Sequence, residues 1–215
     1  FNNESILIIC DPFLKDSSNL TYVISLMEGK NKVSTYTEVV PEPPITHVVK
    51  GIQYMEGIKP TIIIAIGGGS CIDMSKGIAY FGRKLKHIDI KSFIAIPTTS
   101  GTGSEVTSFA VLTDSETQVK YPLLDDAVLP DEALLTPLFV KTSPPNVTAY
   151  SGMDVLVHAL EAYVATEANN FTDALAQQAI ELVFEYLPKC YKPTATDQDR
   201  MSMHEASCLA GLSFN

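Results

Sequence analysis

The sequence predicts an α/β fold in which a parallel-sheet domain is followed by an all-helical domain. Three observations carry this prediction. Short apolar segments alternate with amphipathic helical patterns over the first half of the chain, which is typical of parallel sheets covered by helices. Three consecutive glycines at positions 67–69 join a fully apolar segment to one of these helical patterns. After Leu135 prolines interrupt the chain and only helical periodicity follows, so we expect domains at residues 1–142 and 143–215.

Composition and charge narrow the class of protein. The 215 residues are 46% hydrophobic, which supports a sizeable core. A net charge of -10, from 15 basic and 25 acidic residues, argues against binding to nucleic acid or to an anionic membrane surface. No apolar run reaches the roughly 20 residues of a membrane span, and no signal peptide opens the chain, so we expect a cytoplasmic protein. The 4 cysteines form no CxxC pair and are expected to be reduced, buried thiols.

The first predicted strand ends beside a candidate binding residue. The segment Ser5–Cys10 is almost continuously apolar, and Asp11 follows it. Ligands of parallel sheets bind at the carboxyl ends of strands, where an acidic residue can accept hydrogen bonds from a ribose diol and repel a 2′-phosphate. Asp11 therefore favours NAD over NADP, the alternative being an ordinary turn residue before Pro12. The next predicted elements are a helix capped by Ser17 or Ser18, a strand at residues 32–37, and a helix ending near Gly57.

Residues 61–76, TIIIAIGGGSCIDMSK, carry the strongest local signal. The apolar run predicts a central strand buried on both faces, and the glycines after it let the backbone turn sharply and approach a ligand. Ser70 is predicted to cap the following helix, with Asp73 completing a capping box. Several free amides of the turn and of the helix start, together with the helix dipole, would then converge on one spot suited to a phosphate. The alternative is an ordinary tight turn between a strand and a helix.

A loop rich in hydroxyl groups follows the next predicted strand, at residues 92–96. Pro97–Thr107 contains six hydroxyl side chains and two glycines, so it offers many neutral hydrogen-bonding groups to an anionic or sugar-bearing ligand. The alternative is a solvated connector. A hairpin is then predicted from Phe109–Thr113 and residues 118–122. Lys120 on its second strand is a candidate to face the ligand, the alternative being a solvated lysine.

The helical domain contains a candidate metal-binding pair. Asp154 and His158 lie four residues apart in a helix predicted at residues 147–165, which places carboxylate and imidazole on one helix face. These ligand types suit Fe²⁺, Zn²⁺ or Mn²⁺, and their apolar neighbours predict burial, which makes unliganded polar groups costly. The alternative is a surface hydrogen bond. Further helices are predicted at residues 171–187, ended by Pro188, and at Asp197–Phe214, while His47, His87 and His204 are interpreted as structural or solvated.

Taken together, these motifs resemble the iron-dependent (group III) alcohol dehydrogenase family over essentially the whole chain. Within that family the resemblance is to short-chain enzymes similar to the ethanol and propanol dehydrogenases of ethanolamine and propanediol breakdown, or to the alcohol half of bifunctional aldehyde-alcohol dehydrogenases. Three motifs carry the resemblance: residues 67–70 with Asp73 and Lys76, the run IPTTSGTGSEVT at residues 96–107, and residues 152–154 with His158 and Glu161. The second and third of these motifs are specific to the family.

The resemblance implies a Rossmann-like dinucleotide-binding domain followed by a helical metal-binding domain, with the active site in the cleft between them. It implies interconversion of short-chain primary alcohols and aldehydes with NAD, assisted by Fe²⁺ or alternatively Zn²⁺ or Mn²⁺, in a homo-oligomer that is cytoplasmic or enclosed in a bacterial microcompartment. The implied roles are ribose contact by Asp11, pyrophosphate binding by Gly68, Gly69 and Ser70 beside Asp73, lining of the cofactor cleft by Thr98, Thr99, Thr107 and Lys120, and the first two of four metal ligands from Asp154 and His158.

The sequence departs from the family pattern in its metal ligands. The resemblance implies two further histidine ligands beyond residues 210–215, and a hairpin before Phe1. We therefore expect a truncated form of the enzyme, and a nucleotide-binding remnant without turnover is the alternative. A third reading is a metal-dependent lyase of the dehydroquinate synthase type, whose acidic substrate calls for clustered basic residues. It is disfavoured because the helical part offers only Lys189, Lys192 and Arg200.

Overall fold

The computed structural model describes residues 1–215, and the packing of the chain divides it into two compact units. The first unit comprises Phe1–Ile96 and Ser108–Leu134. The second comprises Pro97–Thr107 and Leu135–Asn215.

The first unit is built on the predicted parallel sheet. Its elements are β1 (Ser5–Cys10), α1 (Ser18–Met27), β2 (Lys32–Tyr36), α2 (Ile45–Ile58), β3 (Ile62–Gly67), α3 (Gly69–Lys86), β4 (Ser92–Pro97), β5 (Phe109–Thr113), β6 (Lys120–Leu124) and β7 (Glu132–Ala133). The five strands of the main sheet lie in the order β2-β1-β3-β4-β7. Strand β1 pairs in parallel with both β2 and β3, and β4 pairs in parallel with β7. The α/β prediction for this part of the chain is confirmed.

Strand β3 lies at the centre of the sheet, as its unbroken apolar run predicts. All of its residues are buried, and Ile64 stands opposite Ile8 of β1 in the parallel register. Side chains from both strands pack with α2 and α3, including Met55 and Ile78, to form the core of the unit. Burial of each large aliphatic side chain contributes about 1.5–3 kcal/mol. The core therefore holds the carboxyl edge of the sheet in a fixed geometry.

The two predicted helix caps of this unit have different outcomes. The Ser17 hydroxyl accepts a hydrogen bond from the Leu20 amide at 3.1 Å, so the predicted cap of α1 is confirmed. The predicted capping box of α3 is wrong, because the helix begins at Gly69 with Gly68 as its cap and no capping side chain. Both side chains of that box form tertiary hydrogen bonds instead. The Ser70 hydroxyl accepts from the Glu42 amide, and Asp73 accepts from the Val111 amide.

Strands β5 and β6 form the predicted antiparallel hairpin, with Phe109 opposite Leu124. Two side chains of α3 fasten it. Asp73 accepts a hydrogen bond from the Val111 amide at 3.0 Å, and the ammonium group of the fully buried Lys76 donates to the Phe109 carbonyl at 2.7 Å. Asp73 and Lys76, in the N-terminal half of α3, thus anchor the hairpin on this helix.

The second unit is helical, as predicted, and its elements are α4 (Pro137–Val140), α5 (Pro145–Tyr163), α6 (Asn170–Cys190) and α7 (Asp197–Phe214). Buried side chains of α5, α6 and α7, among them Val155, Val183 and Met203, form its core. The prediction that Pro188 ends its helix is wrong, because α6 continues to Cys190. Proline is tolerated there because the carbonyl left without a partner belongs to the exposed residue Phe184. None of the helices combines the length and the apolar composition that a membrane span requires.

The hydroxyl-rich loop Pro97–Thr107 groups with the helices, so the packing divides the chain differently from the predicted single boundary at residue 143. The reason is a direct backbone contact with α7. A Cβ atom added at Gly103 would lie 2.7 Å from the Cα atom of Gly211. Two residues without side chains let the loop and the helix approach closely, and sequence order carries no sign of this pairing.

Candidate functional site

The turn between β3 and α3 is joined to the end of β1 by a hydrogen bond. The Gly68 amide donates to Oδ2 of Asp11 at 3.0 Å. Gly67 makes this approach possible, since a Cβ atom there would lie 2.6 Å from Oδ2 of Asp11 and 2.3 Å from the Cβ atom of Cys71. Glycine at position 67 is therefore required by close packing around the Asp11 carboxylate.

The Asp11 carboxylate is positioned for a second partner. Its other oxygen, Oδ1, accepts no hydrogen bond from the protein. Burial raises the pKa of Asp11 above its ordinary value, while the hydrogen bond from Gly68 lowers it. A half-buried carboxylate at the carboxyl end of a parallel strand can accept hydrogen bonds from a ligand diol, which is the predicted role of Asp11.

Two amides at the start of α3 are open. The Gly68 amide is taken by Asp11, and the Cys71 amide bonds to the Gly68 carbonyl at 3.0 Å. The amides of Gly69 and Ser70 have no protein acceptor. Together with the positive end of the helix dipole they can bind an anionic group. Of the residues predicted to bind pyrophosphate, Gly69 and Ser70 thus offer free backbone donors, whereas Gly68 positions Asp11.

Lys120 is brought close to this turn by a residue that the sequence analysis missed. The Ser70 hydroxyl accepts a hydrogen bond from the Glu42 amide at 3.3 Å, and the Glu42 carboxylate pairs with the Lys120 ammonium at 2.6 Å. Both charged side chains are largely exposed, so the pair is screened by solvent. Glu42 lies in the proline-rich segment 41–44 and has a left-handed backbone with φ of 49°.

The Asp73 carboxylate forms a hydrogen bond with the β5–β6 hairpin. Its Oδ2 atom accepts the hydrogen bond from Val111, so the structure gives Asp73 an anchoring contact. Its predicted contact with a cofactor stays a prediction.

The loop Pro97–Thr107 presents two hydroxyl groups that have no protein partner. Thr98 and Thr99 form no side-chain hydrogen bond, while the Thr98 carbonyl accepts a weak one from the Ser143 hydroxyl at 3.4 Å. Thr98 and Thr107 are both buried, and Thr107 differs because its hydroxyl donates to the Ser104 carbonyl at 3.4 Å. Thr98 and Thr99 are therefore the predicted hydroxyls with free hydrogen-bonding capacity.

His204 holds this loop from α7. The imidazole is fully buried, its Nε2 atom lies 3.1 Å from the Pro97 carbonyl, and its Nδ1 atom lies 3.0 Å from the Ser100 hydroxyl. Burial lowers the pKa of His204 to about 4. Of the two predicted alternatives, structural or solvated, these contacts exclude a solvated His204, and nothing in the sequence pointed to the loop as its partner.

The candidate metal ligands Asp154 and His158 lie side by side on α5. Oδ1 of Asp154 and Nε2 of His158 are 3.8 Å apart, and the two side chains are 43% and 26% exposed. The expected burial is found only in part, because the neighbours Val155 and Ala159 are fully buried whereas Val157 and Leu160 are exposed. The His158 ring also lies 5.1 Å from the Phe214 ring, and its buried Nδ1 atom has no hydrogen-bond partner.

The pair fits a divalent ion as part of a larger ligand set. With metal–ligand bonds of about 2.1 Å, tetrahedral geometry separates two ligand atoms by roughly 3.4 Å, so the observed 3.8 Å requires only a small side-chain rotation. No group of three or more His, Cys, Asp or Glu residues in the structure could hold a metal ion. Asp154 and His158 therefore supply two suitable donors, and a stable site needs more.

Comparison with known proteins covers both units. The profile described as iron-containing alcohol dehydrogenase matches residues 1–137. The profile described as the C-terminal part of the Fe-containing alcohol dehydrogenase family matches residues 148–215.

Two curated relatives and one solved structure illustrate the similarity. The 1-propanol dehydrogenase PduQ of Citrobacter freundii is 46% identical over 213 residues, covering 99% of this chain and 57% of the relative. The NADPH-dependent butanol dehydrogenase of Clostridium saccharobutylicum is 44% identical over 204 residues, covering 88% and 52%. The structure of sulfoacetaldehyde reductase from Bifidobacterium kashiwanohense in complex with NAD⁺ matches with a TM-score of 0.91 at 31% identity, covering 98% of this chain and 59% of that one. The chain spans just over half the length of these two curated relatives.

Proposed function

Because the chain belongs to the iron-containing alcohol dehydrogenase family, we propose that it interconverts short-chain primary alcohols and aldehydes by metal-assisted hydride transfer with NAD(H). The observation that carries the proposal is the Asp154–His158 pair, whose donor atoms lie 3.8 Å apart on a solvent-accessible part of α5. The preference for short chains is supported by the relatives named for propanol and butanol oxidation.

The residues of the first unit would bind and orient the dinucleotide. The free amides of Gly69 and Ser70 would bind the pyrophosphate, since both lie at the positive end of α3. Oδ1 of Asp11 would accept hydrogen bonds from the adenosine ribose, and its charge would disfavour a 2′-phosphate, which supports NAD(H) rather than NADP(H). Lys120 would add positive potential near the pyrophosphate whenever its exposed pair with Glu42 opens.

The residues of the second unit would serve the reacting end of the substrates. Thr98 and Thr99 carry hydroxyls that can donate to or accept from the cofactor. Asp154 and His158 would hold the divalent ion, Fe²⁺ or alternatively Zn²⁺ or Mn²⁺, with further donors completing the set. A bound ion supplies Lewis-acid polarisation of the alcohol or aldehyde oxygen, and NAD(H) supplies the hydride chemistry.

The test is anaerobic oxidation of NADH with propanal by the protein that carries this chain together with the further donors of its metal site, after reconstitution with Fe²⁺. We expect propanal-dependent turnover that is lost in Asp154→Asn, because the amide is a poorer metal ligand than the carboxylate. Asp89→Asn, at an exposed position in the first unit, is the matched control and should behave as the unsubstituted chain. Turnover that survives Asp154→Asn would refute the proposed role of the pair.

A second candidate function is nucleotide binding without turnover. It is favoured by one observation, the lack of a third metal donor near Asp154 and His158. Under this alternative the chain binds NADH but takes up no Fe²⁺, so the two functions separate when NADH titration and iron analysis are performed on the same preparation.

Assembly and location are part of the proposal. We propose a homo-oligomer, which light scattering after size exclusion would test. We also propose a cytoplasmic enzyme, associated with a microcompartment for ethanolamine or propanediol breakdown, which fractionation of cells grown on those substrates would test.

A further inference from the structure

The segment that carries the free hydroxyls of Thr98 and Thr99 needs an external support. The loop Pro97–Thr107 contains two glycines and only a single short 3-10 helix at Ser104–Val106. Ordering such a backbone is entropically unfavourable, so contacts from a rigid element are required to hold its hydroxyls in one orientation.

His204 provides such a contact at both ends of the segment. A carbonyl oxygen can only accept, so the 3.1 Å contact with the Pro97 carbonyl requires a proton on Nε2 of His204. In the neutral ring Nδ1 is then an acceptor, and the Ser100 hydroxyl donates to it at 3.0 Å. A single imidazole therefore bridges the residue before Thr98 and the residue after Thr99.

The state of the ring suits this bridge. Its burial disfavours the charged form and keeps the imidazole neutral near pH 7. Only the neutral ring can donate from one nitrogen and accept at the other, so the two hydrogen bonds define a single tautomer.

A second contact on the same face of α7 supports the far end of the loop. Gly103 has a φ of 63°, in the left-handed region, and a Cβ atom there would lie 3.0 Å from the Ser207 carbonyl and 2.7 Å from the Cα atom of Gly211. His204, Ser207 and Gly211 follow the spacing i, i+3, i+7, which places them along one helix face. Helix α7 thus supports the loop at two places, through the His204 side chain at one and through close backbone packing at the other.

We infer that His204 is a positioning residue for nucleotide binding, which acts by bridging Pro97 and Ser100 so that the hydroxyls of Thr98 and Thr99 are held in one orientation for hydrogen bonding to a dinucleotide. This inference rests on the proposed binding of NAD(H). His204 itself touches neither substrate nor cofactor in this role. A purely structural histidine would stabilise α7 without affecting the affinity of the folded protein for the dinucleotide.

The test compares NADH affinity with folding stability. His204→Leu removes both hydrogen bonds but keeps an apolar side chain, and His204→Gln restores a donor and an acceptor at similar spacing. Val183→Ala, at a buried position of α6 in the same core, is the matched control for lost stability. The dissociation constant is measured by the anisotropy of NADH fluorescence, which is free of tryptophan background because the chain contains no Trp, and stability is measured by urea unfolding.

We expect His204→Leu to weaken NADH binding about tenfold, because the loop would then have to be ordered when the cofactor binds, and an ordering cost of about 1.4 kcal/mol corresponds to a factor of ten. His204→Gln should recover most of the affinity, and Val183→Ala should leave it unchanged despite lower stability. Hydrogen exchange at residues 98–102 should accelerate in His204→Leu alone. If His204→Leu binds NADH as tightly as Val183→Ala does, the inference is overturned and the proposed function stands. If the unsubstituted chain binds no NADH, the proposed function fails, and the inference with it.

Discussion

Lowering the pH from about 7.5 to about 5 should destabilise the protein through His204. This side chain is fully buried and its pKa is lowered from 6.5 to about 4 by burial. Between these two values the unfolded chain binds a proton that the folded chain does not, so the free energy of unfolding falls as the pH falls. The difference in proton binding between the two states corresponds to a loss of about 2 kcal/mol at pH 5 relative to pH 7.5. Above the unfolded-state pKa the contribution is fully present.

The assay is urea unfolding followed by far-ultraviolet circular dichroism at both pH values. The same series with His204→Gln removes the titration at this position and keeps all others, including that of Asp11, whose pKa is raised by burial. We expect the unsubstituted chain to lose about 2 kcal/mol more than the variant over this range. Equal losses in the two proteins would refute the reasoning, because they would mean that His204 titrates in the folded state as it does in the unfolded state.

Three further predictions concern packing, cofactor choice and surface charge. Gly211→Ala should destabilise the protein by about 1–3 kcal/mol, since its Cβ atom would lie 2.9 Å from the Gly103 carbonyl; Gly57→Ala, in α2 with nothing within 4 Å, should not, and thermal unfolding of both variants checks this. Asp11→Gly should weaken NADH binding and reduce the preference for NADH over NADPH, because the carboxylate that repels a 2′-phosphate is gone. An unchanged ratio of the dissociation constants for NADH and NADPH would contradict the proposed role of Asp11. Lys120→Ala should change unfolding free energy by less than about 1 kcal/mol, since its pair with Glu42 is exposed, and a larger loss would show that the pair is not screened.

Local sequence was sufficient where local physics decides the structure. An unbroken apolar run predicted the buried central strand, and the glycines after it predicted the sharp turn into α3. The start of helix α7 was predicted correctly at Asp197, which directly follows the capping residue Thr196. The i and i+4 spacing of Asp154 and His158 likewise placed their donor atoms beside each other, since helix geometry alone determines that neighbourhood.

The hydrogen-bond partner of each polar side chain depends on the tertiary structure. Ser70 and Asp73 had the spacing of a capping box, yet the Glu42 and Val111 amides took their side chains, because those groups arrive from distant segments of the chain. The partial exposure of the Asp154 and His158 side chains was not predicted either. Burial depends on which elements cover a helix, and the pattern of the helix itself does not show this.

The loop and its helical support show the division between sequence and tertiary structure. The sequence by itself determined the hydroxyl content of Pro97–Thr107 and the periodicity of α7. Only the folded chain paired them, by bringing His204 to the Pro97 carbonyl across 107 residues and by setting Gly103 against Gly211. Hydrogen bonding and close packing act between neighbours in space, so a contact formed by chain return is invisible in the pattern of either segment.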